Sequence, residues 1–499
     1  MTTLIHGGVV VDGAGNPPCR ADVLVENDKI AGVYPEGLDK TSNYFDSVIS
    51  AEGLLVTPGF IDSHSHSDAY LVLEPEANSK ITQGITTEIN GQCGASIAPR
   101  YGQARLSSDW AALLGKRLTW RTLAEYKEVF SSSRPAINSI QFTGHNTIRS
   151  SVVGYDARQC SPDELKRMCY LFEETLEQGS WGLSTGLVYP PGKYSTPFEV
   201  ETLAKIAASK GAFYATHMRS EADKIIESID EVLSLVNATG VRAEISHLKT
   251  YGENNWHLID RVLEKIGKAV ELGELLGADR YPYTAACTEL DIVIEDDGSI
   301  KDRDWSSVIV AGTWELENKR FSGRSVKDCA DEHSVSPQDF IRQITARDKG
   351  KTGAFFFMMS QENLDRILSA SWVVPGSDAS LRRIDGPLGQ DYPHPRAYGT
   401  MPVFYRRLRR LGFTIEQCVN RMTLAPALRF GIKGRGEIKK GAYADIAIWN
   451  EKEFAATSQF ANPHSYASGM SYVLVNGVVS TFTNQSSSIG RGGRFLERN

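Results

Sequence analysis

Two histidines two positions apart, His64 and His66, close the run Val56-Thr57-Pro58-Gly59-Phe60-Ile61-Asp62-Ser63-His64-Ser65-His66. On a strand this spacing turns both imidazoles to one face, and neutral imidazole is a common ligand of divalent metals. A His-X-His pair alone fits an ordinary core as well as a metal site, but here an apolar run, Gly59 to Ile61, delivers it to a strand end. Cys93 follows another β-rich run, inside the turn Gly91-Gln92-Cys93-Gly94. His217 and His247 terminate Ala212–His217 and Val241–His247, and Asp378 follows Trp372–Ser377. Any one of the six would pass as structural; all six at the same end of successive strands point to chemistry. A cysteine with two histidines leaves the fourth position of a tetrahedral zinc ion open, as catalysis requires. Zinc lowers the pKa of its bound water towards ~7 and polarises a carbonyl oxygen. Asp378 is then the group to take the water's proton and return it to the leaving nitrogen. That chemistry is hydrolysis of an amide-like bond.

The elements that must position these residues alternate. Ser161-Pro162-Asp163-Glu164 and Thr196-Pro197-Phe198-Glu199 start helices with an N-cap, a proline and a capping glutamate, and Gly179 and Gly211 stop them. Strand-like runs follow at Trp181–Leu187, Ala212–His217, Val241–His247 and the segment ending near Tyr283, with further helices near Ser220–Ala238 and Trp256–Leu272. Consecutive βα units predict a parallel sheet, and their number favours an α/β fold closed as a (β/α)8, TIM-like barrel over residues 58–430. The rhythm breaks over 286–350, an expected insertion or lid. Short β-branched runs separated by hairpin signals fill residues 1–57 and return in 431–499. They predict a small β-sandwich domain built from both chain termini, with an extended tail from Asn484.

Composition excludes several alternatives. Fifty-four basic and sixty-one acidic residues give a formal charge of −7, and no long basic tract offers a surface for nucleic acid. No run of eighteen apolar residues suits a membrane span, and the N-terminus carries no secretory pattern. Seven scattered cysteines are not a disulfide framework, and a reducing cytoplasm is the expected location. The expected partner is a small molecule; oligomeric state is not readable.

Longer motifs carry a resemblance. Pro58–His66, Gly91–Gly94, Gly144-His145-Asn146-Thr147-Ile148-Arg149, Gly186–Gly192, Thr216-His217-Met218-Arg219, Ser246-His247-Leu248-Lys249, Tyr281–Ala285, Gly376-Ser377-Asp378, His394–Thr400 and Gly436–Ile446 together resemble the amidohydrolase superfamily. Cys93, where many relatives carry a modified lysine, resembles its N-acyl-D-amino-acid deacylase (D-aminoacylase) family. The resemblance implies one tightly held Zn2+ on Cys93, His217 and His247. It implies a second, weaker site at His64 and His66, with Cys93 able to bridge, and Asp378 as general base and acid. It further implies that Arg396, Lys249, Tyr281 and Tyr189 receive a substrate's free carboxylate, a role that suits a guanidinium fork. The implied reaction is zinc-dependent hydrolysis of N-acyl-D-amino acids. The alternatives are a dipeptidase for peptides with a C-terminal D-residue, a cyclic-amide hydrolase (against which Cys93 argues) and a non-catalytic scaffold. The chain departs from the pattern in Ser380–Tyr392, a longer segment bringing Arg382 and Arg383 towards the mouth and opening a D-terminal dipeptide or an acidic D-amino acid derivative as the preferred substrate. Leu248 also stands where many relatives have a second histidine. His145 reads either as a residue orienting a ligand or as a core histidine.

Overall fold

The computed structural model describes residues 1–35, 37–38, 44–106, 113–295, 297–483 and 486–498. Its centre is eight parallel strands: β1 (Phe60–Asp62), β2 (Ile85–Asn90), β3 (Asn138–Gln141, continued by Thr143–Gly144), β4 (Gly182–Gly186), β5 (Phe213–His217), β6 (Arg242–Ile245), β7 (Leu276–Arg280) and β8 (Val373–Pro375). Each pairs with the next, through registers such as Asp62↔Glu88, Asn90↔Gln141, Gly186↔His217 and Ala278↔Val373. The ring closes where Ser63 N donates to Pro375 O at 3.1 Å and Asp378 N to His64 O at 2.8 Å. The barrel read from the βα alternation is therefore present. Strands β2, β4, β5 and β7 are buried at every position, as expected where helices cover a parallel sheet.

The covering helices start where their caps predict. Ser161 and Thr196 accept the Glu164 and Glu199 amides, opening Pro162–Glu177 and Pro197–Ser209. Their apolar stripes (Met168, Phe172, Leu176; Val200, Leu203, Ala207) join the main core. The next helix begins at Ile225, not near Ser220. Ser220 N donates to Ser228 Oγ and Ala222 N to Ser220 Oγ, so residues 218–224 form a turn that keeps Glu221 at the mouth of the barrel.

Strands from both termini meet in one nine-stranded sheet. Ile446–Trp449 lies antiparallel to Leu55–Pro58, which runs on into β1. The sandwich expected from the sequence is built as one continuous hydrogen-bonded sheet, because Thr2–Val10 is long enough to pair with Ser47–Ser50 at one end and Leu55–Pro58 at the other. It packs on a core of its own, including Ile5, Val23, Val56, Ile446 and Leu474. Between β7 and β8, Ala286–Glu289, Gly353–Phe356 and Val308–Val310 form a three-stranded antiparallel sheet. A separate core containing Leu290, Trp305, Phe321 and Phe340 supports it; Asp296 lies outside the described residues. The tail from Ser486 runs back along the barrel, where Leu496 N donates to Ser139 O at 2.8 Å and Trp181 Nε1 to Leu496 O at 2.8 Å; Asn484, Gln485 and Asn499 lie outside the described residues. Among the described residues no helix is long and apolar enough to cross a membrane, and all seven cysteines are free.

Under the mouth lies a fully buried lysine. Lys80 Nζ lies within hydrogen-bond reach of Asp62 Oδ2 (2.9 Å), Ser65 Oγ (3.0 Å), Ser377 Oγ (3.0 Å) and Ala379 O (2.9 Å), among which its three N–H groups are shared, with Glu88 Oε2 at 3.5 Å. It ties the ends of β1, β2 and β8 together. Lys80→Met leaves two buried carboxylates without their cation, and removing one partner of such a cluster costs about 3–5 kcal/mol. Denaturant unfolding of the variant is expected to show that loss; a stability equal to that of the parent would mean that Lys80 is dispensable to barrel closure.

Candidate metal centre

The residues singled out for chemistry converge. One group of donor atoms, from His64, His66, Cys93 and Asp378, and a second, from Cys93, His217 and His247, each lie within 4.8 Å of one another. Cys93 belongs to both. Its Sγ is 3.4 Å from Nε2 of His64 and 3.4 Å from Nε2 of His247. Asp378 Oδ1 is 3.1 Å from His66 Nε2 and 3.5 Å from His64 Nε2.

The backbone is bent to achieve this. Cys93, His247 and Asp378 have φ of 52°, 37° and 49°, a left-handed region that costs a non-glycine residue about 1–3 kcal/mol when it is held there. Each stands just beyond the end of its strand, where the chain must turn across the mouth. Two glycines make room for the cysteine turn. A Cβ on Gly94 would lie 2.6 Å from Gly186 N, and one on Gly186 would lie 2.1 Å from Cys93 O.

The outer ring nitrogens are braced by carboxylates. His64 Nδ1 is 2.9 Å from Asp279 Oδ2, and His247 Nδ1 is 2.9 Å from Glu221 Oε1. Asp279 Oδ1 also accepts the His247 backbone N–H at 2.9 Å. His217 presents Nε2 3.7 Å from Glu221 Oε2, while its buried Nδ1 has no hydrogen-bond partner among the described residues, leaving that nitrogen available to an ion. One sulphur and two imidazoles, oriented by carboxylates on their far side, are the donor set of a catalytic zinc site, so the residues fit the metal. Burial raises the pKa of the Cys93 thiol, but His64 and His247 outweigh it and hold it well below the ordinary value. For Asp378, burial is likewise outweighed, first by Arg396 and then by His247, and its carboxyl stays well below the usual range.

Beside this centre stand the residues expected to meet a carboxylate. Arg396 Nη1 donates to Asp378 Oδ2 at 2.7 Å, and its guanidinium lies 4.5 Å from the centre of the Tyr281 ring. The Tyr281 hydroxyl is buried without a partner among the described residues. Burial raises its pKa, yet Lys249, Arg280 and Arg396 together bring it below that of free tyrosine. Lys249 Nζ donates to Glu221 Oε1 and, at 3.0 Å, to His247 O. Tyr189 packs its ring 5.0 Å from that of His217, and its hydroxyl is 3.3 Å from Thr288 Oγ1 in the segment between β7 and β8.

Some residues at the site were invisible in the sequence. Glu221 and Asp279 brace the imidazoles, and His394 sets the start of the Arg396 helix. Its Nε2–H donates to Ala285 O at 3.1 Å, and its Nδ1 accepts the Arg396 amide at 3.0 Å. The one available signal was position, since Glu221 stands four residues after His217 and Asp279 two before Tyr281. Arg382 and Arg383 are engaged in ion pairs, the first with Asp391 at 3.1 Å, the second with Glu74 at 2.6 Å and Asp385 at 2.8 Å. His145 takes the core alternative, with Nε2 2.8 Å from Glu199 Oε1. Leu248 is fully buried.

The model of the Amidohydrolase family matches residues 47–210 and 358–481. A D-aminoacylase from Alcaligenes xylosoxydans xylosoxydans is 32% identical over 99% of this chain and 97% of its own length. An N-acyl-D-glutamate deacylase from the same organism is 32% identical over 100% and 97%. The crystal structure of N-acyl-D-glutamate deacylase from Bordetella bronchiseptica, complexed with zinc and a phosphonate inhibitor, superposes with a TM-score of 0.86 at 30% identity, covering 99% of both chains. With a barrel of this form and relatives alike along its whole length, the chain belongs to the amidohydrolase family, in its D-aminoacylase branch, and is an enzyme that hydrolyses amide bonds.

Proposed function

We propose that the protein hydrolyses N-acyl-D-amino acids, holding zinc on Cys93, His217 and His247, with a second and weaker site at His64 and His66 that Cys93 bridges. The observation that carries this reading is the 2.7 Å contact between Arg396 and Asp378. It sets a fork for a carboxylate directly beside the carboxylate suited to move a proton, so the amide to be cut stands next to an acid group. The relatives named for D-aminoacylase and N-acyl-D-glutamate deacylase activity support the D-configuration. Zinc, when bound, supplies the Lewis acidity that polarises the amide carbonyl and activates water.

The remaining work falls to the chain. Asp378 enters as a carboxylate, its Oδ2 fixed by Arg396, and its Oδ1 receives the proton of the attacking water. The same oxygen then gives that proton to the departing nitrogen, so the carboxylate is regenerated. Arg396, Lys249 and the Tyr281 hydroxyl, which has no partner among the described residues, hold the substrate's α-carboxylate. A guanidinium has five N–H donors, so Arg396 can serve Asp378 and the substrate together. Tyr189 closes the wall beside His217.

Metal analysis of the purified protein is expected to find about one firmly held zinc per chain and to find it lost in Cys93→Ala; a metal-free parent chain would favour the scaffold reading. Asp378→Asn is expected to keep its zinc and lose roughly 10²–10⁴ in turnover of an N-acetyl-D-amino acid, and near-normal turnover would mean that another group carries the proton. Arg396→Ala is expected to retain zinc and raise KM at least ~10-fold, because a charge-assisted contact to the carboxylate is gone. Assays on N-acetyl-D-amino acids, L-D dipeptides and hydantoins test the substrate class directly, and activity confined to the last two would overturn it.

A further inference from the structure

Glu221 touches both halves of the site. Its Oε1 is 2.9 Å from His247 Nδ1 and also accepts from Lys249 Nζ, while its Oε2 lies 3.7 Å from His217 Nε2. The turn between β5 and the helix Ile225–Thr239 keeps it there, and its own carbonyl accepts the Tyr251 amide at 2.7 Å. An ammonium has three N–H donors. Lys249 meets Glu221, His247 O at 3.0 Å and His247 Nδ1 at 2.9 Å, so a ligand carboxylate that binds this ammonium must draw it away from Glu221 and His247.

We propose that Glu221 is a positioning residue that couples the metal to the substrate: through it, a carboxylate bound at Lys249 tightens the hold of His217 and His247 on zinc, and zinc tightens the hold on the carboxylate. This rests on the deacylase reading of the site. Without substrate, Glu221 divides its charge between the Lys249 ammonium and the outer nitrogens of the two imidazoles. A substrate carboxylate on Lys249 competes for that ammonium. More of the Glu221 charge then falls on the imidazoles, and a more strongly bonded outer nitrogen makes the ring a better donor to the metal. Coupling of two binding events is reciprocal, so the zinc-loaded site must favour the carboxylate by the same factor.

The experiment uses the full-length protein carrying Asp378→Asn, so that substrate is bound and not consumed. Zinc affinity is measured by chelator competition, without ligand and with saturating N-acetyl-D-leucine or N-acetyl-D-glutamate, whichever binds. The corresponding α-carboxamide, which lacks the carboxylate, is the control. The acid is expected to tighten zinc ~5-fold more than the amide does, at the lower end of typical coupling. Adding Glu221→Gln is expected to weaken zinc by about 10–100-fold and to erase the difference between acid and amide. Lys249→Met, which leaves Glu221 in place, is expected to erase the same difference with a smaller loss of zinc. Zinc affinity unchanged by Glu221→Gln, or an acid–amide difference that survives it, overturns the proposal. If neither acid binds the Asp378→Asn protein at all, the substrate reading fails and the coupling with it. Absence of binding distinguishes that outcome from binding without coupling.

Discussion

A sulphur buried among imidazoles is the constraint from which the rest of the site follows. Cys93 is held as a low-pKa thiol by His64 and His247, both 3.4 Å from its Sγ. A charge taken out of water is tolerated only where it is paired and hydrogen-bonded. The histidines must therefore present Nε2 to the sulphur, which turns Nδ1 outward and obliges an acceptor there. Asp279 and Glu221 are those acceptors, and Glu221 in turn is balanced by Lys249. Alternating charge thus runs outward from the sulphur to the wall where a substrate's carboxylate would lie.

The barrel supplies rigidity where that alternation needs it. Asp279, on β7, bonds the His64 ring with one oxygen and the His247 amide with the other, so one side chain registers β1 against β6. Lys80 does the equivalent beneath, drawing together Asp62, Ser65, Ser377 and Ala379 O. Ser377 and Ala379 flank Asp378, whose left-handed backbone is over-determined from both sides. The strain at Cys93, His247 and Asp378 is tolerable because the strands on which they end cannot shift independently.

The barrel and the ligand-capable residues were legible in the sequence for a physical reason. Capping residues and stop glycines mark helices, apolar runs between them mark strands, and a residue at a strand end stands at the mouth whatever the loop then does. Glu221 was hidden because an acid shortly before an apolar periodic run looks like a favourable charge at a helix N-terminus; the helix in fact begins four residues later, at Ile225. Asp279 reads as one polar position within a strand. Lys80 reads as a solvated cation, because nothing local to Asn78–Ile81 announces partners almost 300 residues away at Ser377 and Ala379. The pairing of Leu55–Pro58 with Ile446–Trp449 is equally non-local; periodicity identifies both as strands and says nothing of their joining one sheet. Arg382 and Arg383 are the converse case, two charges conspicuous in sequence whose ion-pair partners Asp391, Glu74 and Asp385 emerge only in three dimensions.

Arg396 draws these arguments together. Its guanidinium is buried, stacked on Tyr281 and bonded to Asp378, and its backbone amide is fixed by His394, whose other nitrogen bonds Ala285 O at the start of the segment between β7 and β8. Its Nη2 also reaches Cys287 O, at 3.4 Å, in that same segment. The surroundings of Arg396 are therefore built jointly by the barrel end and the segment that interrupts the βα rhythm. Neither half alone sets that fork: the barrel end supplies Asp378 and Tyr281, and the backbone of Ala285 and Cys287 fixes the Arg396 helix start and guanidinium.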